Sequence, residues 1–162
     1  MGTKGKEIIK DAERIVGLLN RALADEWLAY YQYWVGSKVA KGPLRPNVTA
    51  ELAEHAGEEL EHANMLAERI IQLGGTPLVS PVEIEKHKNC DYEAPSDPHT
   101  VRLLEQNIKG EQCAIEVYNK LLHEIKGAGD YITFNMVRKI LEDEVKHEED
   151  LQSLLEDIGL SK

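Results

Sequence analysis

Four stretches of the chain repeat apolar residues at alternating spacings of three and four, the period that lines them up on one face of an α-helix. The last reads Val137, Ile140, Glu144, His147, Leu151, Leu154 and Ile158, and the second reads Val48, Leu52, His55, Glu59, His62, Leu66, Ile70 and Leu73. The first gives Ile15, Leu19, Ala22, Glu26, Tyr30 and Tyr33; the third gives Val101, Leu104, Ile108, Glu111, Ile115, Tyr118, Leu122 and Ile125. Helix breakers delimit these stretches, and all six prolines fall between Pro43 and Pro98. The pattern predicts helices over about 6–40, from an N-cap at Asn47 to Gly74-Gly75, from Asp97-Pro98 to Gly127-Ala128-Gly129, and from a cap at Asp130 to about Ile158.

Connection lengths set the expected topology. Short links join the first helix to the second and the third to the fourth, which makes each pair an antiparallel hairpin. Between the second and third lie about 22 residues with four prolines, read as a structureless crossover long enough to run the length of a bundle. The expected fold is therefore all-α, a four-helix bundle with one long crossover, with residues 1–162 forming a single domain.

Each inward stripe carries one glutamate: Glu26, Glu59, Glu111 and Glu144. A buried carboxylate without a partner either costs many kcal/mol or takes up a proton. No lysine or arginine occupies the stripes near these positions. Two divalent cations solve the problem, because four carboxylates balance them in charge and the neutral imidazoles of His62 and His147 complete the ligand set. The spacing agrees. Both 59 − 26 and 144 − 111 give 33, and Glu26/Glu111, Tyr33/Tyr118, Glu59/Glu144, His62/His147, Leu66/Leu151 and Gly74/Gly159 are all 85 apart. One helix hairpin occurs twice, and a pseudo-twofold bundle of such halves brings two Glu-x-x-His motifs together with two single glutamates. Among 21 glutamates and six histidines, one Glu-x-x-His is unremarkable. Two of them on apolar stripes, each 33 residues after a helix partner, are not.

Other polar positions are less determined. Tyr33 and Tyr118 either hydrogen-bond the opposing carboxylates or pack as core tyrosines. His55 reads as a packing or access residue near the centre, and His87, His99 and His123 as surface. Trp27 and Trp34 read as helix or subunit contacts, or as redox-active groups near the metal ions.

Composition narrows the partners. With 19 Lys+Arg against 29 Asp+Glu, the formal charge is −10 and the pI about 5.1, which opposes attraction to nucleic acid or anionic lipid and favours cations. Lys4, Lys6 and Lys10 form only a meagre basic tail, so DNA binding is not expected. No apolar run approaches a membrane span and no leader-like segment opens the chain, so a cytoplasmic protein is expected. Two cysteines, Cys90 and Cys113, are too few to staple a fold, and their redox state stays open at this level.

The chain resembles the ferritin-like superfamily, in its bacterioferritin and Dps-like branch, over nearly its whole length. The likeness rests on Glu26 in LADEWLAYYQY, Glu59 and His62 in EELEHANMLAERIIQLGGTP, Glu111 in KGEQCAIEVY, and Glu144 and His147 in EDEVKHEEDL. It implies that Glu59 and Glu144 bridge two metal ions, that Glu26 and His62 complete one, and that Glu111 and His147 complete the other. Such carboxylate and imidazole donors suit iron or manganese. Bacterioferritins carry a haem-ligating methionine after the glutamate of the second helix; Leu60 stands here, so haem by that route is not expected. The 15 residues after His147 (162 − 147) leave no room for the fifth helix of 24-subunit ferritins. Cys90 and Cys113 resemble the cysteine pair of the Dps-like proteins called thioferritins, which form 12-subunit shells. The resemblance implies a homo-oligomeric ferroxidase that oxidises Fe(II) with hydrogen peroxide or dioxygen, stores the iron, protects against oxidative stress and has a redox-active cysteine pair. A rubrerythrin-like peroxidase or manganese catalase without storage, and a DNA-coating Dps protein, are the alternatives.

Overall fold

The computed structural model describes residues 2, 4 and 9–160. These form five helices: α1 (Ala12–Val39), α2 (Arg45–Gln72), α3 (Pro81–His87), α4 (Thr100–Lys126) and α5 (Tyr131–Leu160). The two hairpins, α1 with α2 and α4 with α5, dock against each other as an all-α four-helix bundle. The crossover between α2 and α4 runs along α1 and joins them.

Helix boundaries differ from the sequence pattern where proline is involved. The second helix begins at Arg45, behind Leu44 in the left-handed region (φ 48°), rather than at an Asn47 cap. Pro46 falls in its first turn, where an absent N–H costs nothing, so the helix starts before the proline. The third helix starts at Thr100, not Asp97-Pro98. Lys41 N donates to Pro98 O (2.7 Å) and Thr100 N to Lys41 O (2.9 Å), a bridge between Lys41 and His99 that keeps Pro98 outside the helix. The exposed His99 then accepts from Val101 N through Nδ1 at the helix start. Asp130 accepts from Thr133 N (3.0 Å), the expected capping contact, but the last helix runs through Gly159 to Leu160. The start of the first helix at 6 falls outside the described residues, as does Lys6; from the described side, Asp11 is left-handed (φ 59°) and α1 begins at Ala12.

The crossover is not structureless. Ser80 caps α3 by accepting from Val82 N, with Pro81 at its first position. At the end of α2, Gly74 adopts φ 84°, and a Cβ on Gly75 would lie 2.5 Å from Val16 Cγ1, so the paired glycines both turn the chain and let it pass close to α1.

Two apolar clusters fill the bundle. One contains Ile15, Leu19, Leu66, Ile70, Ile125, Val137 and Ile140; the other contains Val48, Leu52, Leu103, Leu104, Leu151 and Ile158. The glutamate and histidine positions lie between them along every helix. The second-helix stripe is buried throughout, whereas on α4 Val101, Ile108, Ile115 and Leu122 are only half-buried and Leu103 and Asn107 take inner places. Arg69 joins α2 to the start of α5 through a buried bidentate pair with Asp130 (2.8 and 2.9 Å) and a bond to Thr133 Oγ1 (2.7 Å).

Candidate metal centre

Glu26, Glu59, Glu111, Glu144, His62 and His147 are all buried at the middle of the bundle, one glutamate from each long helix. His62 Nδ1 lies 3.4 Å from Glu26 Oε2, 3.5 Å from Glu59 Oε2 and 3.3 Å from Glu144 Oε1. His147 Nδ1 lies 3.9 Å from Glu111 Oε2, 3.3 Å from Glu59 Oε1 and 3.5 Å from Glu144 Oε2. Glu59 and Glu144 therefore each send one oxygen towards either histidine. The donors form two converging sets, Glu26, Glu59, His62, Glu144 and Glu59, Glu111, Glu144, His147, which share those two glutamates.

Among the described residues, buried side-chain atoms without a hydrogen-bond partner include one from each of the six: Glu26 Oε2, Glu59 Oε1, Glu111 Oε2, Glu144 Oε1 and Nδ1 of both histidines. Orphaned buried acceptors are rare and call for a reason. All six face one another, so the donor set fits a pair of cations.

The outer atoms of Glu26, Glu111 and the two histidines are held from behind. Tyr33 on α1 donates its hydroxyl to Glu111 Oε1 on α4, and Tyr118 on α4 donates to Glu26 Oε1 on α1. Behind the histidines, His147 Nε2 is 2.8 Å from Glu58 Oε2 and His62 Nε2 is 3.3 Å from Asp143 Oδ2. Such contacts orient the ring and fix which nitrogen faces a metal. Glu58 and Asp143 escaped the sequence reading as solvent-facing charges, yet they obey the same 85-residue spacing and each precedes a shared glutamate.

Electrostatics follow from crowding. Burial raises Glu59, and Glu26 raises it further against the pull of His147 and His62. Burial together with Glu144 and Glu59 holds Glu111 well above the carboxylate range. Burial alone would depress the histidines, but Glu144, Glu26 and Glu59 outweigh it for His62, which is raised, and Glu144 and Glu59 push His147 up to about 10. Burial and then Glu111 raise Tyr33, while burial and then Glu26 raise Tyr118, keeping both as hydroxyl donors. These shifts favour the protonated forms of Glu59, Glu111, His62 and His147 when no cation is bound.

His55 is buried against the centre, its ring stacked on His147 (4.1 Å between centroids) and edge-on to Tyr33 (5.3 Å). His87, His99 and His123 are exposed. Trp27 and Trp34 are exposed, Trp27 edge-on to Tyr30 and Trp34 stacked with Tyr31 of the same helix.

Cys90 and Cys113 form a disulfide between the crossover and α4, with Cα atoms 5.9 Å apart. The buried Asp25 carboxylate accepts from Asn89 N (2.7 Å), Asn89 Nδ2 (2.6 Å) and Cys90 N (2.9 Å), fixing this turn one residue before Glu26. A cleft lined by Cys90, Tyr92, Gln32 and Gly110 reaches Glu26, Glu59, Glu111 and Glu144.

A four-helix bundle with one crossover and a carboxylate–histidine cluster at its middle belongs to the class of dinuclear carboxylate proteins. The ferritin-like domain matches residues 16–161, and the chain belongs to that family. It is 31% identical over 147 residues to the DNA protection during starvation protein of Pyrococcus furiosus, covering 90% of this chain and 78% of that protein. To the bacterioferritin of Rhodobacter capsulatus it is 26% identical over 148 residues, covering 90% and 84%. Among solved structures, the bacterioferritin-related dodecameric thioferritin of Bacteroides fragilis superimposes with a TM-score of 0.92 at 40% identity, covering 98% of this chain and 94% of that one. Among the described residues, no helix is long and apolar enough to cross a membrane.

Proposed function

We propose that the protein is a Dps-like ferritin that oxidises Fe(II) in pairs at the six-residue centre and stores the product as ferric oxide inside a 12-subunit shell. The observation that carries this reading is the set of six orphaned donor atoms facing one another, with Glu59 and Glu144 each offering an oxygen to both halves. Glu59 and Glu144 bridge the two Fe(II) ions, Glu26 and His62 hold one, and Glu111 and His147 hold the other. Manganese fits the same donors.

Hydrogen peroxide is the preferred oxidant, with dioxygen the alternative. One electron from each Fe(II), with two protons, converts peroxide into two water molecules. A one-electron reaction at a lone ion would release hydroxyl radical, so holding the ions in pairs protects the cell from oxidative damage. The cleft beside Cys90 is the route by which a small oxidant reaches the carboxylates, and the disulfide is the redox-active element beside that route. The likeness to the Bacteroides fragilis dodecamer supports the shell, and the exposed Trp27, Tyr31 and Trp34 strip offers a surface for subunit contact. A net charge of −10 argues against the DNA-coating alternative.

Stopped-flow oxidation of Fe(II) tests the centre: Glu59→Ala removes a bridge and abolishes the rapid phase, and normal oxidation in that variant would refute the assignment. Native mass tests the shell. A small oligomer with peroxidase activity and no iron core would favour a rubrerythrin-like enzyme instead.

A further inference from the structure

The centre is built in pairs related by the 85-residue repeat, but one polar cluster beside it is not. Glu51, His55 and Asp150 converge, with their candidate ligand atoms within 4.8 Å of one another. His55 Nε2 lies 3.2 Å from Glu51 Oε1 and 4.0 Å from Asp150 Oδ2. The repeat-related positions, 51 + 85, 55 + 85 and 150 − 85, are Met136, Ile140 and Met65. Ile140 is fully buried in an apolar cluster, with Met136 and Met65 packed against it. The fold is therefore served by apolar residues at the three repeat-related places, Met136 and Ile140 on α5 and Met65 on α2. At the point between Glu51, His55 and Asp150 the molecule instead buries an imidazole.

That imidazole is fixed and incompletely satisfied. The His55 side chain is 2% exposed, held by the stacked ring of His147 and the edge-on contact with Tyr33, and its Nδ1 has no hydrogen-bond partner. A buried unpaired nitrogen is a cost that isoleucine would avoid. Its other nitrogen points out of the core at two carboxylates from different helices, both half-buried and open to solvent. Lys146 Nζ approaches Asp150 Oδ2 at 3.7 Å from the solvent side, itself exposed and so weakly held.

We propose that Glu51, His55 and Asp150 form a third divalent-cation site, distinct from the dinuclear centre and one side chain away from it. One imidazole nitrogen and two carboxylates suit Fe(II), Mn(II), Zn(II) or Co(II) and leave coordination positions for water, as expected of a weaker, exchangeable site. Behind it, His55, Glu58 and His147 converge as a further cluster, so this site and the centre are contiguous.

Co(II), with dioxygen excluded, is the probe, applied to the intact protein in crystals and by equilibrium dialysis. The expected result is an anomalous peak between Glu51, His55 and Asp150 in addition to two at the centre, with one ion per subunit lost in a Glu51→Gln/Asp150→Asn double variant. Because His55 touches His147, His55→Ile, which copies the other half of the repeat, is the second variant and loses the same ion. Two peaks at the centre without the third, or dialysis unchanged in the double variant, overturns this site and leaves the dinuclear reading intact. A peak at this site with nothing among the four glutamates supports it and overturns the reading of the centre.

Discussion

Glu58 on α2 stands behind His147 on α5, its Oε2 2.8 Å from Nε2, while Nδ1 of the same ring faces the carboxylates. The contact crosses between hairpins and has its counterpart in Asp143 behind His62. A carboxylate on the outer nitrogen fixes the tautomer and makes the inner one a better donor. Glu58→Ala is expected to weaken metal binding about 10- to 100-fold, read by titration with Co(II). An unchanged affinity would show that the contact is incidental.

Tyr33 and Tyr118 each donate to a glutamate of the other hairpin. The Tyr33 hydroxyl favours the charged form of Glu111, opposing burial. Tyr33→Phe keeps the ring but loses the donor, so Glu111 holds its proton to higher pH. The pH at which metal uptake is half complete should move upward in this variant, measured as ion bound per subunit across a pH series.

The metal-free protein should lose stability as pH rises. His147 is raised from an ordinary 6.5 to about 10, so its contribution is fully present below 6.5 and is lost as pH climbs through about 10. Glu59 and Glu111, also raised, act in the same direction from the ordinary carboxylate range upward. Cations replace those protons, and loading is therefore favoured by higher pH. Calorimetry at pH 6.5 and pH 9.5 should find a melting gap between loaded and metal-free protein that widens at the higher pH; a constant gap would contradict the charge account.

The Cys90–Cys113 bond closes a loop with a sequence separation of 23. Chain-entropy arguments assign such a closure about 3 kcal/mol, or roughly 6–12 °C in a domain of this size. The Cys90→Ser/Cys113→Ser variant should melt lower by that order in non-reducing buffer and match the wild type in reducing buffer.

Much of the centre was legible in the sequence because burial and function leave the same trace there. A glutamate on an apolar stripe is conspicuous, and the 85-residue repeat ties Glu26 to Glu111 and His62 to His147 without any coordinates. Residues that act from the rim leave no such trace: Glu58 and Asp143 look like ordinary solvated acids until the opposite helix is in place. The stacking of His55 on His147 was likewise hidden, because a stripe specifies a face and not the neighbour across it. α3 was missed because seven residues with Val82 and Ile84 as apolar positions carry too little periodicity to outweigh flanking prolines. The two misplaced helix starts arose where Pro46 and Pro98 could each sit inside or outside the first turn, a choice settled by the Lys41 bridge for one and by Leu44 for the other.

The crossed tyrosines and shared glutamates have an implication for synthesis. Glu26, Glu59 and His62 emerge first, but each half of the centre also draws on Glu144, and Tyr118 must arrive to steady Glu26. Under the proposed function, a nascent chain exposing only the first hairpin would lack the donors that α4 and α5 supply, so a redox-active ion would find no complete pocket until α5 docks.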